Sequence, residues 1–103
     1  PLRVQINNLG ATYTFFIETA ATDLDILTDG TDKFVGGVYT GKDDATGKTF
    51  ISGASNDVIT LNGSTKGGLA GSIIRVTAIS DNKYAVEGII LGSGTIVTPF
   101  ADA

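Results

Sequence analysis

Apolar and polar residues alternate with a period of two in several short stretches of this sequence. Residues 2–6 and 13–17 both show the pattern, and similar pieces recur towards the C-terminus. Because neighbouring side chains of a β-strand point to opposite faces of the sheet, this period is typical of a strand with one buried face. Apolar runs at helical spacing are missing, so we predict an all-β fold. The predicted buried residues include Tyr13, Phe15, Ile17, Val76 and Val86.

Turn-forming residues separate these stretches at short intervals. The sequence contains 14 glycines, several of them in the glycine-rich segment 62–71. Short strands at this spacing favour a small antiparallel β-sandwich or barrel with glycine-rich loops over alternating strands and helices. The length fits a single β domain at 1–103. Within it we expect an N-terminal strand arm at 1–8 and a C-terminal tail at 97–103.

The strongest local prediction is a β-hairpin from residues 73–80 to residues 84–90. A three-residue loop would pair Ile74 with Ile90 and would keep the apolar residues of both strands on one face. A two-residue loop would instead set an apolar residue of the first strand against Glu87 and would mix the two faces. We therefore predict the three-residue loop.

The residue types that the chain lacks exclude several kinds of chemistry. There is no cysteine and no histidine, which rules out disulfides, thiolate metal sites, the usual zinc sites and a Ser-His-Asp triad. Seven basic residues are scattered singly among eleven acidic ones, with a net charge of −4, so no basic stripe could follow a nucleic acid. No apolar run approaches the ~18 residues of a membrane span. We expect a non-enzymatic protein with no cofactor, nucleic-acid partner or membrane contact.

Two glycine-containing segments resemble functional loops. Residues 41–49 resemble a P-loop, but five residues rather than four separate Gly41 from Gly47, and a strand rather than a helix is expected to follow. A hairpin loop is the simpler interpretation. The segment 62–71 is interpreted either as a flexible connection between sheets or as a surface loop that adapts to a neighbouring subunit.

A run of aspartates at residues 23–32 suggests calcium, which prefers several oxygen ligands. Counted from Asp23, however, the positions that an EF-hand fills with Gly and Glu hold other residues. We predict no metal site, and a non-EF site that uses Asp29 and Asp32 is left open as the alternative.

Large apolar side chains outside a minimal core are our candidates for protein contacts. Phe16 lies on the polar face of its strand, and Phe100 follows a proline that should prevent ladder pairing and release it from the sheet. Leu2, Val4 and Ile6 form one apolar face at a chain terminus, where a strand could be donated to another protein. The alternative for Phe100 is that it folds back over its own core.

The C-terminal half contains a series of distinctive segments: Val-Ile-Thr-Leu-Asn-Gly-Ser-Thr at 58–65, Gly-Gly-Leu-Ala-Gly at 67–71, Ile-Arg-Val-Thr-Ala-Ile at 74–79, and the continuation at 84–88 and 92–101. Together they resemble a recurring module of structural proteins from tailed bacteriophages. Tyr84 stands where members of that family often carry Trp. The first half of the chain carries no such resemblance.

The resemblance implies a small head decoration, or cement, protein that binds the major capsid protein and stabilises the shell. It further implies a homotrimer on the outer surface of the virion, assembled in the host cytoplasm. Because the chain is short and is expected to be a complete product, head decoration is favoured. The alternative is a binding module associated with a tail, baseplate or fibre, including one that contacts carbohydrate, for which Phe16 and Tyr39 would supply exposed rings.

Overall fold

Short strands make up the regular structure of this chain. The computed structural model describes residues 2–5, 10–28, 32–42, 46–80 and 82–102, with side chains from residue 10 onward. Within them lie β1 (Leu2–Gln5), β2 (Thr12–Phe16), β3 (Leu24–Leu27), β4 (Lys33–Gly41), β5 (Gly47–Ile51), β6 (Val58–Leu61), β7 (Ile73–Ser80), β8 (Lys83–Leu91) and β9 (Phe100–Ala101). These described ranges contain no helix, which confirms the prediction of an all-β fold.

The strands form one sheet of four and one sheet of five. The four-stranded sheet has the order β1-β3-β6-β9, and the five-stranded sheet has the order β2-β7-β8-β4-β5. Two neighbouring pairs, β1 with β3 and β4 with β8, run parallel. The sheets are therefore mixed rather than purely antiparallel as expected. After the β4–β5 hairpin the chain crosses to the other sheet before it returns as β7 and β8, so β8 need not oppose β4.

The hairpin of β7 and β8 forms where the sequence predicts it, but in another register. Arg75 lies opposite Glu87, and Val76 lies opposite Val86. This pairing is shifted by two positions from the predicted one. Because the shift is even, it keeps every side chain on the predicted face of its strand.

The loop of this hairpin explains the shift. Ser80 pairs with Lys83, so the loop has two residues, and the register changes between Ala78 and Ser80. The irregularity restores the alternation of buried and exposed faces that an unbroken two-residue hairpin would lose. Asn82 has a φ of 71°, as tight hairpin turns require. The predicted three-residue loop is wrong because it made no allowance for a bulge.

Both sheets contribute to one hydrophobic cluster. Its buried members are Ile17, Leu24, Ile26, Phe34, Val38, Ile59, Leu61, Ile74, Val76, Ala78, Tyr84, Val86, Ile90 and Phe100. The predicted burial of Ile17, Val76 and Val86 is confirmed. Tyr13 and Phe15 pack against the cluster but are only half-buried, because β2 is an edge strand. The radius of gyration, 12.6 Å, is that of a compact small domain.

The C-terminal tail belongs to the four-stranded sheet. Phe100 pairs with Ile59, and its side chain is buried, so the expectation that it leaves the sheet is wrong. Pro99 cannot donate to the ladder, but its carbonyl accepts a hydrogen bond from the Thr60 N–H at 2.8 Å. A proline at this edge therefore weakens pairing without ending it.

The N-terminal segment is also paired within the chain. Leu2 lies opposite Leu24, and Val4 lies opposite Ile26, in the parallel pairing of β1 with β3. Leu2–Gln5 is therefore an outermost strand of its sheet, and its donation to another protein stays a prediction. Ile6 lies outside the described residues.

Candidate interaction surface

A continuous line of apolar side chains crosses the outward face of the five-stranded sheet. Phe16 pairs with Ile73, Ile73 with Ile89, and Ile89 with Tyr39. Residues in register lie side by side, so these four form one apolar row across β2, β7, β8 and β4. Thr49 of β5 continues the same level to the opposite edge.

Most of the apolar row is exposed. The exposed fraction is 63% for Phe16, 55% for Ile89 and 44% for Tyr39, while Ile73 is half-buried. Ile90, the next residue after Ile89, is fully buried on the inward face. The sheet is therefore apolar on both faces at this level, which makes the row a candidate contact surface.

The level beside the apolar row is polar but electrically balanced. Arg75 Nη1 lies 2.9 Å from Glu87 Oε1, directly across the β7–β8 pair, and both side chains are exposed. An exposed pair of this kind contributes only about 0–1 kcal/mol to stability. One level further on, the hydroxyls of Thr12 and Thr77 lie 3.0 Å apart. Repulsion from unpaired charge therefore does not protect this part of the face from contact.

Tyr39 has a structural role as well as an exposed ring. Gly41 pairs with Gly47 at the end of the β4–β5 hairpin. A methyl group added at Gly41 would lie 3.2 Å from Tyr39 Cε2, and one added at Gly47 would overlap the Tyr39 hydroxyl. The ring thus covers a glycine pair that has no side chains of its own to pack. This packing accounts for an aromatic residue at position 39 without a ligand.

A groove of about 490 Å³ extends the exposed apolar surface towards edge strand β5. Val35 and Ile51, which are 44% and 78% exposed, line it together with Lys33 and Lys83. Lys33 Nζ lies 3.1 Å from the carboxylate of Asp57, whose side chain is buried. The groove therefore combines apolar walls with cationic side chains at its rim.

The segment that resembles a P-loop is a hairpin loop, as its spacing suggested. Gly41 pairs with Gly47, the Lys42 N–H donates to the Thr46 carbonyl at 3.1 Å, and strand β5 follows directly. Residues 43–45 lie outside the described residues. A phosphate would find no helix N-terminus at the start of β5.

The glycine-rich segment 62–71 joins β6 of one sheet to β7 of the other, so the expected connection between sheets is confirmed. It is tightly hydrogen-bonded: the Asn62 side-chain oxygen accepts from the Ser64 N–H at 2.9 Å. Gly67 has a φ of +89°, and a methyl group there would overlap Ile90 Cγ2. Glycine is therefore required at position 67 for close packing against Ile90.

The described aspartates of the segment 23–32 do not form a metal site. Asp29 lies outside the described residues, and the Asp32 carbonyl accepts a hydrogen bond from the Thr28 hydroxyl at 2.7 Å. The described residues hold no group of three or more acidic side chains placed to share an ion. The calcium alternative at Asp29 and Asp32 therefore stays a prediction.

The predicted interface residues are not brought together. Phe16 lies in the apolar row, whereas Phe100 is buried and Leu2 and Val4 belong to the other sheet. Ile89 and other outward apolar residues were not predicted from the sequence: Val35, Ile51, Ile73 and Ile79. Two consecutive apolar residues in a strand were the available signal, because one of the two must face outward.

Comparison with known proteins found no relative of this chain. No family model matches it, and no curated protein or solved structure matches it either. None of the described residues belongs to a helix long and apolar enough to cross a membrane.

Proposed function

We propose that this chain is a non-enzymatic virion protein that decorates a phage head by binding the major capsid protein. The apolar row on the outward face of the five-stranded sheet is the observation that carries the proposal. The resemblance of residues 58–101 to a phage structural module supports the choice of partner. That segment includes β7 and β8, which supply Ile73 and Ile89 to the row.

The two sheets are proposed to pack face to face as a β-sandwich rather than a barrel. The shared hydrophobic cluster supports this arrangement, and so do the edge strands β1, β9, β2 and β5 of the two sheets, which pair on one side only within the described residues. A sandwich turns one face of each sheet inward and the other outward. The apolar row then lies on a broad, slightly twisted surface that a capsid protein could cover.

Attachment would come from burial of the apolar row and from repetition. Complete burial of an Ile or Phe side chain contributes on the order of 1.5–3 kcal/mol, so one copy would bind weakly. Copies linked to one another on a symmetric shell would make these weak contacts effectively tight. The Arg75–Glu87 pair beside the row would fix the orientation of the sheet on its partner more than the affinity.

The carbohydrate-contacting alternative finds less support. Phe16 and Tyr39 are exposed on the same row, but two strands separate them. At ~4.8 Å per strand spacing their backbones are about 14 Å apart, so the two rings would not stack on one sugar ring. Tyr39 also packs over the Gly41–Gly47 pair.

Binding to undecorated phage heads tests the proposal. We would compare wild type with Ile89→Lys, in the apolar row, and with Val97→Lys, which alters another exposed residue (41%) outside the two sheets. Loss of about 1.4 kcal/mol or more should lower the binding of Ile89→Lys at least ten-fold, while Val97→Lys binds as wild type. Wild-type binding by folded Ile89→Lys, or binding of the wild type to tails alone, would contradict the proposal.

A further inference from the structure

One edge of strand β2 pairs with no other strand of the described residues. The Ile17 N–H donates to the Ser72 carbonyl just before β7, and the Ala11 carbonyl accepts from the Ala78 N–H within β7. The odd-numbered residues of β2 therefore direct their backbone N–H and C=O groups towards β7. In an antiparallel ladder the alternate residues direct their N–H and C=O groups the other way. Thr12, Thr14 and Phe16 therefore point their backbone groups away from β7, and in the described part of the chain β2 pairs with β7 alone.

This edge lacks the features that usually prevent pairing between molecules. Natural edge strands are commonly protected by a charged residue, a proline or a bulge. The sequence Thr-Tyr-Thr-Phe-Phe of β2 has no charge and no proline, and its register with β7 is regular throughout. The opposite edge, β5, carries Lys48, whose amino group reaches the Ile96 carbonyl at 3.2 Å. The two edges of the sheet thus differ in their readiness to pair.

The strand is also complementary to itself. If two copies meet antiparallel with Thr14 opposite Thr14 of the second copy, Thr12 lies opposite Phe16 and Tyr13 lies opposite Phe15. The pair of Thr14 with Thr14, and the two pairs of Thr12 with Phe16, are then hydrogen-bonded pairs. Together they use every N–H and C=O group that these residues direct away from β7. Because β2 contains no charged residue, this pairing places no like charges opposite each other.

The side chains gain contacts in the same arrangement. Tyr13 and Phe15 are only half-buried because they lie at the edge of the shared cluster. The rings of a second copy would cover their open sides as cross-strand aromatic pairs. On the outward face, the Thr14 side chains of the two copies would lie side by side across the axis.

We propose that two copies of this chain join edge to edge through β2 into a two-fold dimer with one continuous sheet. The apolar rows of both copies then lie on the same face. Each copy uses the edge of its β2 that does not pair with β7, so this assembly closes at two copies. It is an alternative to the homotrimer that the resemblance implies. The inference does not depend on the proposed capsid partner.

The interface is small, so the dimer is a reversible one. Five residues at ~3.4 Å each give a shared edge of about 17 Å, which belongs to the class of interfaces below ~1,200 Å². Sedimentation equilibrium on the full chain, over a concentration range from micromolar to near-millimolar, would measure it.

Proline substitutions at the two edges give a matched test. The Thr14 N–H points away from the sheet, so Thr14→Pro should leave the fold intact and abolish the dimer. The Ser52 N–H bonds to the Gly36 carbonyl, which places the Thr49 N–H on the outward side of β5. Thr49→Pro is therefore the control and should dimerise like the wild type. Equal loss of the dimer in both variants would overturn the proposal.

Charge substitutions test the position of the two-fold axis without proline. Only a residue on the axis meets its own copy, so Thr14→Lys and Thr14→Glu should each weaken the dimer about five-fold or more, and an equimolar mixture should recover it. A wild type that stays monomeric at the highest concentration, a trimer, or a mixture no tighter than the separate variants would each overturn the proposal.

Discussion

The ring of Phe100 lies 6.4 Å from the ring of Phe34, centroid to centroid, with the two planes tilted by 53°. Both side chains are buried, so the contact fastens β9 to the shared cluster. We expect Phe100→Ala to lower the free energy of unfolding by about 3–5 kcal/mol, because it leaves a cavity where a large ring was packed. Urea unfolding followed by far-UV circular dichroism would measure the loss.

Phe16→Ala is the control for that measurement, since Phe16 is 63% exposed. It should lower stability by less than about 1 kcal/mol at concentrations where the chain is monomeric. An equal loss in the two variants would mean that Phe100 does not belong to the core.

Gly67 and Gly10 allow a steric clash to be separated from backbone strain. Both have a positive φ, +89° and +83°, but a methyl group at Gly67 would overlap Ile90 whereas one at Gly10 would meet no atom within 4 Å. Gly10→Ala should lower the free energy of unfolding by about 1–2 kcal/mol through backbone strain alone. Gly67→Ala should lower it by a further ~1–3 kcal/mol. Similar losses in the two variants, measured by urea unfolding, would exclude the clash.

Thr40 carries a buried hydroxyl that finds no hydrogen-bond partner among the described residues. Replacing it with valine keeps the shape and removes the polar atom, so Thr40→Val should leave stability unchanged or raise it. The matched change Thr28→Val removes a hydroxyl that donates to the Asp32 carbonyl at 2.7 Å, and it should lower stability by about 1–3 kcal/mol. The order of the two melting temperatures is the measurement, and the reverse order would contradict the prediction.

The Lys33–Asp57 and Arg75–Glu87 ion pairs should differ in strength. Lys33 contacts the buried carboxylate of Asp57 at 3.1 Å, whereas Arg75 and Glu87 are both exposed. Lys33→Met should lower the free energy of unfolding by about 1–3 kcal/mol, since it removes a charged hydrogen-bond donor from a desolvated group. Arg75→Met should change it by no more than ~1 kcal/mol. Raising the salt concentration should reduce the second effect more than the first, and a larger loss for Arg75→Met would refute the ranking.

The alternation of residue types was sufficient to predict strands and the buried face of β7 and β8. It could not predict the register of their hairpin, because the irregularity between Ala78 and Ser80 leaves no mark in the pattern. It could not predict strand direction either, since a period of two is the same for parallel and antiparallel pairs. Phe100 was misplaced for a different reason: Pro99 was taken to end pairing although its carbonyl remains an acceptor.

The candidate surface was predictable at one residue. Phe16 stood out because it followed Phe15 in an otherwise alternating strand. The same signal was present at Ile73-Ile74 and at Ile89-Ile90, but from the sequence both residues of each dipeptide were compatible with a buried position. Only the pairing of β2, β7, β8 and β4 shows that Ile73 and Ile89 lie in a shared outward row. Cross-strand neighbours depend on strand order and register, and the alternation of residue types in a single sequence determines neither.

The parallel pairing of β4 with β8 also affects how the chain can fold. β4 and β5 form a local hairpin early in the sequence, but Lys33 pairs with Lys83 and Gly41 with Leu91, far downstream. Long-range pairing of this kind slows folding, because a large loop must close before the contact stabilises anything. During synthesis the edge of β4 that pairs with β8 therefore stays uncovered until residues 83–91 have left the ribosome.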